Sequence, residues 1–290
     1  MRSHTRMNRL SRYPESVRAP LRLSGTVGEM TSLDAYLLLA LRMADAADQA
    51  TLKWWNPSGV ATTVKSDGSP VTEADVAAER AVLEIALDVC PDDGFLGEEI
   101  GEKSGSTGRR WIVDGVDGTR AFAAGLETWG TLIALEQRGE IVLGVASSPA
   151  QDRRWWASRG GGAYTGTCSA DSRSTPLRVS AGRVLVAERV VTKPTFVNLA
   201  LEHQEAIARL IGAVPVDAPW SHQLRVAEGQ ADLCVWFCGD VWDHAAPSII
   251  VEEAGGRFTD LAGGKRLDSR TAIYSNGATH DVALAALLVT

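Results

Sequence analysis

From Leu33 onward the apolar positions return with helical spacing. Leu33, Leu37, Leu38, Leu41, Ala44 and Asp48 share one side, which predicts a helix to about Trp55. Thr31 or Ser32 is placed to cap it, with Asp34 favoured in its first turn. Asn56-Pro57-Ser58-Gly59 ends it. The polar run Val64-Lys65-Ser66-Asp67-Gly68-Ser69-Pro70 reads as a flexible hairpin or lid. A second helix opens at Val71-Thr72-Glu73-Ala74-Asp75 and runs to Cys90, before Pro91. Thr72 with Asp75 three residues on has the spacing of a capping box.

The pattern then shortens to strand-length apolar runs. Phe95-Leu96-Gly97 ends in Glu98-Glu99, and a β-branched run occupies 111–116. Trp129 to Leu135 and Ile141 to Ser147 flank Gln137-Arg138-Gly139-Glu140, a hairpin signature, and 153–157 gives another strand. The first half is thus a pair of helices on a largely antiparallel sheet. The second half alternates: strand 184–190, helix 195–212, strand 214–216, helix 220–229, strand 231–237, helix 241–254, two closing strands and a helix over 280–288. This is a mixed α/β (α+β) chain of layered helices and sheets. Two subdomains are expected, about 30–165 and 166–290, with a seam near 150–182.

Composition narrows the function classes. The chain has 290 residues, 45% hydrophobic and 22% charged, enough to bury a substantial core. A net charge of −7 argues against a general nucleic-acid binder, and a small anionic substrate would need a metal or local positive charge. The four cysteines form no CxxC pair and read as free thiols, which fits a reducing cytoplasm. No apolar run reaches the length of a membrane span. Residues 1–29 hold six Arg and two Glu without an apolar core. They read as a basic extension, disordered or non-native and dispensable, because Met30 directly precedes a helix-start signal.

The chemistry concentrates at Trp111-Ile112-Val113-Asp114-Gly115-Val116-Asp117-Gly118-Thr119. A buried strand runs into a turn that offers two carboxylates, a free carbonyl at Val116, and the N–H groups of Gly118 and Thr119. Hard oxygen ligands suit Mg²⁺, and turn amides suit phosphate oxygens. Asp-Gly alone is common turn chemistry, but the nine-residue block favours a site. Glu98 follows an apolar strand and is placed to join it. Asp243 stands in the first turn of the 241–254 helix, either as an acid favoured by the helix dipole or as a distal metal ligand.

These motifs, in this order and with Glu253-Ala254-Gly255-Gly256 after them, resemble the inositol-monophosphatase family of metal-dependent, lithium-sensitive phosphatases over residues 33–288. The resemblance implies a five-layered α-β-α-β-α fold, usually dimeric, using two or three Mg²⁺ to hydrolyse a small phosphorylated metabolite. By position, Glu98, Asp114 and the Val116 carbonyl would hold one metal. Asp114, Asp117 and Asp243 would hold a second, and Glu98 a weaker third through water. Thr119 would bond the attacking water and Asp75 would polarise Thr119, so Asp75 is either a helix cap or a catalytic partner. Lys65 would sit on a lid near the metals. Gly115 departs from the family, which commonly has Pro there.

The runs 64–75, 129–135 and Arg154-Trp155-Trp156-Ala157 resemble the histidinol-phosphate phosphatase branch. Inositol enzymes usually carry a Glu seven residues before the Asp243 position, where this chain has Trp236. Nucleotide 3′-phosphatases often place an acid where Val241 stands. The histidinol-phosphate branch often reads Gly-Asp where this chain has Ser221-His222. Asp240, Trp129, Trp236 and His222 remain the candidates for recognising the rest of the substrate. Inositol 1-phosphate or a broad range of small phosphates is the second reading, and a non-catalytic metabolite-binding protein the third.

Overall fold

The computed structural model describes residues 32–64, 70–168, 174–212 and 222–287. The basic segment 1–29, Lys65, Ser221 and the strand expected at 214–216 lie outside these. Helix α1 (Leu33–Leu52) starts at Ser32, whose side chain accepts from Ala35 N. A short antiparallel ladder pairs β1 (Thr63–Val64) with β2 (Pro70–Val71), and residues 65–69 of the expected hairpin or lid lie outside the described ones. Helix α2 (Glu73–Val89) carries the predicted Thr72–Asp75 capping box.

The larger sheet holds β3 (Gly94–Gly97), β4 (Gly101–Lys103), β5 (Arg109–Asp117), β6 (Gly130–Gln137), β7 (Glu140–Ser148), β8 (Arg153–Ser158), β9 (Gly162–Gly166) and β10 (Thr175–Pro176). Its order is β10-β9-β8-β7-β6-β5-β3-β4, antiparallel except where β3 runs parallel to β5. Between β5 and β6 lies the short helix α3 (Thr119–Ala123). The second sheet has the order β11-β12-β14-β13, formed by β11 (Val190–Lys193), β12 (Leu233–Trp236), β13 (Arg257–Thr259) and β14 (Ala272–Ser275).

Helices α1 and α2 cover one face of the large sheet through Met43, Ala44, Ala78 and Val82 against Trp111, Ile133 and Val145. Helix α6 (Val241–Glu253) fills the space between the sheets. It is buried from His244 to Val251 and packs on β6 and β7 to one side and β13 and β14 to the other. A helix apolar on all sides suits an inner layer. Gly144 of β7 admits it: a Cβ there would stand 2.7 Å from the Ala246 carbonyl. Helices α4 (Leu201–Ile211) and α7 (His280–Leu287) close the far side over Val190, Leu233 and Ile273, and α5 (Leu224–Ala227) packs on α6. The five layers α-β-α-β-α follow. Among the described residues no helix is long and apolar enough to cross a membrane. The four cysteines are free.

Three expectations in the second half are corrected. The strand placed at 184–190 lies at 190–193, because Val190 is the first residue to find a ladder partner, Leu233. Val184 stays 74% exposed. The helix expected from 195 begins at Leu201, after a 3₁₀ turn over Phe196–Asn198. The helix expected over 220–229 is one turn, Leu224–Ala227, stopped at Gly229 with φ +70°.

Candidate active site

Strand β5 brings its acids to the site through a bulge. Asp114 pairs with Leu132 and Asp117 with Gly130, so two residues of β5 face one of β6. The displaced Gly115 carbonyl accepts from Thr131 Oγ1 at 2.8 Å. Gly118 follows in the left-handed region at φ +89°, which a side chain would strain, and turns the chain into α3. Gly115 is also required sterically. A Cβ there would stand 2.4 Å from the Asp75 carbonyl oxygen, so α2 abuts the turn directly where the family commonly has Pro.

Asp75 caps its helix and also meets the Thr119 hydroxyl. Its Oδ2 accepts from Thr72 N at 2.8 Å as the helix cap, and its Oδ1 accepts from Thr119 Oγ1 at 3.1 Å. The same hydroxyl lies 3.0 Å from the Val116 carbonyl. Burial pushes the Asp75 carboxyl upward, against the bonds from Thr72 and Thr119. Asp243 repeats the arrangement on α6: it is the third residue of its helix, and one oxygen accepts from Asp240 N at 2.6 Å. In both helices the cap fixes a carboxylate at the first turn.

Asp114, Asp117 and Asp243 each offer an oxygen, and the three lie within 4.8 Å of one another. Asp114 is 1% exposed, and its Oδ1 finds no hydrogen-bond partner among the described residues. Burial raises its carboxyl well above the usual range, and the charges of Glu98, Asp117, Asp243 and Asp75 add to this. Asp243 is pushed up to about 8 by burial and by Asp117. Three acids in so small a space repel, and an orphaned buried oxygen costs energy, unless a cation sits among them. The donor set fits a hard divalent ion. Glu98 stands outside this tight set. It occupies the turn after β3, donates its N–H to the Val113 carbonyl at 3.3 Å, and makes its charge felt at Asp114 and Asp243.

The candidates for substrate recognition divide. Trp129 is fully buried and meets Phe122 edge-on, with ring centroids 4.8 Å apart. Trp236 is 2% exposed, 5.1 Å from the ring of His244 and 6.3 Å from that of His222. Trp129, Trp236 and His222 are thus buried packing groups rather than exposed ones. Asp240 alone is half-exposed, loosely paired with Arg270 at 3.8 Å. Glu79, a buried acid of α2 beside the Glu98 turn, was missed by the sequence reading. Its spacing of four from Asp75 is the signal that would have found it.

Residues 33–290 match the profile of the inositol monophosphatase family. A Streptomyces griseus protein named glucose-1-phosphate thymidylyltransferase is 40% identical over 272 residues, covering 89% of this chain and 98% of that one. The histidinol-phosphatase of Mycobacterium tuberculosis is 39% identical over 260 residues, covering 87% and 97%. Among solved structures, an IMPase from Thermotoga maritima superposes with a TM-score of 0.74 at 26% identity, covering 87% of this chain and 96% of its own.

Proposed function

Because this chain belongs to the inositol monophosphatase family and is a phosphatase of it, we propose that it hydrolyses L-histidinol phosphate to L-histidinol and phosphate with Mg²⁺. The observation that carries the metal reading is the set Asp114, Asp117 and Asp243 within 4.8 Å, with Asp114 Oδ1 unpartnered among the described residues. Asp114 and Asp117 with Asp243 would hold one ion, and Glu98, Asp114 and the Val116 carbonyl another. Ions held there would neutralise phosphoryl charge and acidify a water, the two needs of phosphate-ester hydrolysis. The chain supplies the positioning. Thr119 gives its proton toward Asp75, so its oxygen is free to accept from the attacking water. The amides of Gly118 and Thr119 receive phosphate oxygens.

The choice of substrate is supported by the likeness to a histidinol-phosphatase and by Trp236. Where inositol enzymes usually have an acid for sugar hydroxyls, a buried indole stands. The test is a phosphate-release panel of histidinol phosphate, inositol 1-phosphate, fructose 1,6-bisphosphate and adenosine 3′,5′-bisphosphate. A kcat/KM for histidinol phosphate at least about tenfold above inositol 1-phosphate is expected, a difference of ~1.4 kcal/mol in transition-state binding. Equal values would favour a broad small-molecule phosphatase. Pyrophosphate formed from dTTP and glucose 1-phosphate would favour the activity in the Streptomyces griseus protein's name. The reading carries with it a homodimer in a reducing cytoplasm, the first of which sedimentation of the purified protein checks.

Metal and protons compete for the same carboxylates. Asp243 at about 8 and the raised Asp114 hold protons in the folded, metal-free protein that the unfolded chain releases near pH 4. The folded state therefore binds more protons, and metal-free stability falls as pH rises from about 4 to about 8. Mg²⁺ displaces those protons, so its stabilisation grows over the same range. At about ten times its dissociation constant an ion adds ~1.4 kcal/mol, roughly 3 °C in Tm. Melting curves with and without Mg²⁺ should diverge toward pH 8 and converge toward about pH 5. A pH-independent gap would remove the link to these acids.

A further inference from the structure

Helix α2 turns two buried acids toward the site, one helical turn apart. Asp75 is taken up by Thr72 and Thr119. Glu79 is 0% exposed and reaches a different element. Its Oε1 accepts from Glu99 N at 3.0 Å, and its Oε2 accepts from Glu99 N at 3.1 Å and from Ile100 N at 2.8 Å. These two amides belong to the turn between β3 and β4, which opens with Glu98. The turn is tight, since Gly97 pairs with Gly101 across it. Glu98 is thus held on both sides: its own N–H by the Val113 carbonyl of β5, and the next two N–H groups by one carboxylate.

The surroundings are cut to admit this side chain. A Cβ on Gly97 would stand 2.3 Å from Glu79 Oε2, and a Cβ on Gly115 would stand 3.2 Å from Glu79 Cγ. Glu79 therefore lies in the wedge between the end of β3 and the bulge of β5, under the acid cluster. An acid is an expensive filler there. Burying a charge costs several kcal/mol before its bonds are counted, and Glu98 and Glu99 repel it. An apolar side chain would fill the wedge more cheaply but would leave two part-buried amides without the carboxylate and the turn free to move.

We infer that Glu79 is a positioning residue of the metal centre: by gripping the consecutive amides of Glu99 and Ile100, it holds the turn that sets Glu98 against the Asp114–Asp117–Asp243 cluster. The inference rests on the reading of Glu98 as a metal-binding acid. Two glycines and one glutamate, from three elements, act together. Gly97 and Gly115 open the space, and Glu79 uses it to join α2 to the turn.

The experiment compares the full-length wild type with Glu79→Gln and Glu79→Ala. Mg²⁺ binding is measured by calorimetry without substrate, and amide exchange over 97–101 is followed in the metal-free protein. The Mg²⁺ dependence of phosphate release completes the set. Outer partners of metal ligands typically carry about 10- to 100-fold in metal affinity. Glu79→Ala is expected to weaken Mg²⁺ binding at least about tenfold and to speed exchange at Glu99 and Ile100. KM at saturating Mg²⁺ should stay near the wild-type value. Glu79→Gln keeps one acceptor and the side-chain shape, so it should recover much of the loss; it also serves if the alanine variant does not fold. Variants that melt lower yet bind Mg²⁺ within about twofold of wild type would overturn the inference, because a purely structural role predicts that outcome. A wild type that binds no Mg²⁺ would overturn both the reading of the site and this inference.

Discussion

An Asp114→Asn protein is expected to fold, to melt higher than the wild type in the absence of metal, and to lose at least about 10³-fold in Mg²⁺-dependent phosphate release. The two effects have one cause. Asp114 is the most buried acid of the cluster, and Glu98, Asp117, Asp243 and Asp75 all press on its charge. Asparagine keeps the shape and one acceptor oxygen and needs no proton on folding, so the metal-free site no longer bears the cost of neutralising a buried carboxylate among like charges and gains stability. The same change removes the carboxylate proposed to serve both ions. A loss of about 10³ corresponds to ~4 kcal/mol of transition-state stabilisation. Phosphate release from histidinol phosphate, titrated with Mg²⁺ and set beside melting curves, reads both effects. Activity within about tenfold of wild type in a folded variant would remove Asp114 from the centre.

Legibility in the sequence followed how local each feature is. The first two helix starts, the β6–β7 hairpin and the strand through Asp114 rest on spacing and turn chemistry within a few residues, and they stand where the pattern put them. The edge of the second sheet did not, because Val184 and Val186 carry a strand's alternation but have no ladder partner among the described residues, while Val190 meets Leu233 from 43 residues on. The acid cluster was readable because each member stands at a break or boundary of an element: Asp114 opens the bulge of β5, Asp117 ends the strand, and Asp243 lies in the first turn of a helix. Their supports were not. Thr131 beneath the bulge, Glu79 beneath the Glu98 turn and the close approach of α2 to Gly115 are contacts between elements. No window of sequence contains both partners.

The largest loss of stability is expected from Arg154→Met. Arg154 is 4% exposed on β8, and its guanidinium donates to Asp45 Oδ1 at 2.8 Å, Asp48 Oδ2 at 2.6 Å and Ser147 Oγ at 3.1 Å. Burial alone would depress its pKa, but Asp48 and Asp45 outweigh that and hold it above the usual range. The bonds tie α1 to β7 and β8 and fix which face of α1 meets the sheet. Methionine fills similar space but strands Asp48, 6% exposed and already pushed upward by burial. Removing one partner of a buried ion pair costs about 3–5 kcal/mol, roughly 6–10 °C in Tm for a chain of this length. Asp48 in the variant would take a proton on folding, so the folded state binds more protons and the loss deepens as pH rises above about 4. Adding Asp48→Asn should return part of the loss, since an amide is cheaper to bury than an unpaired carboxylate. Calorimetric melting of both variants, with kcat measured below the transition, separates this from the active site: Tm should fall while kcat stays near wild type. An Arg154→Met protein that melts with the wild type would show that the ion pair contributes no net stability, as some buried pairs do not.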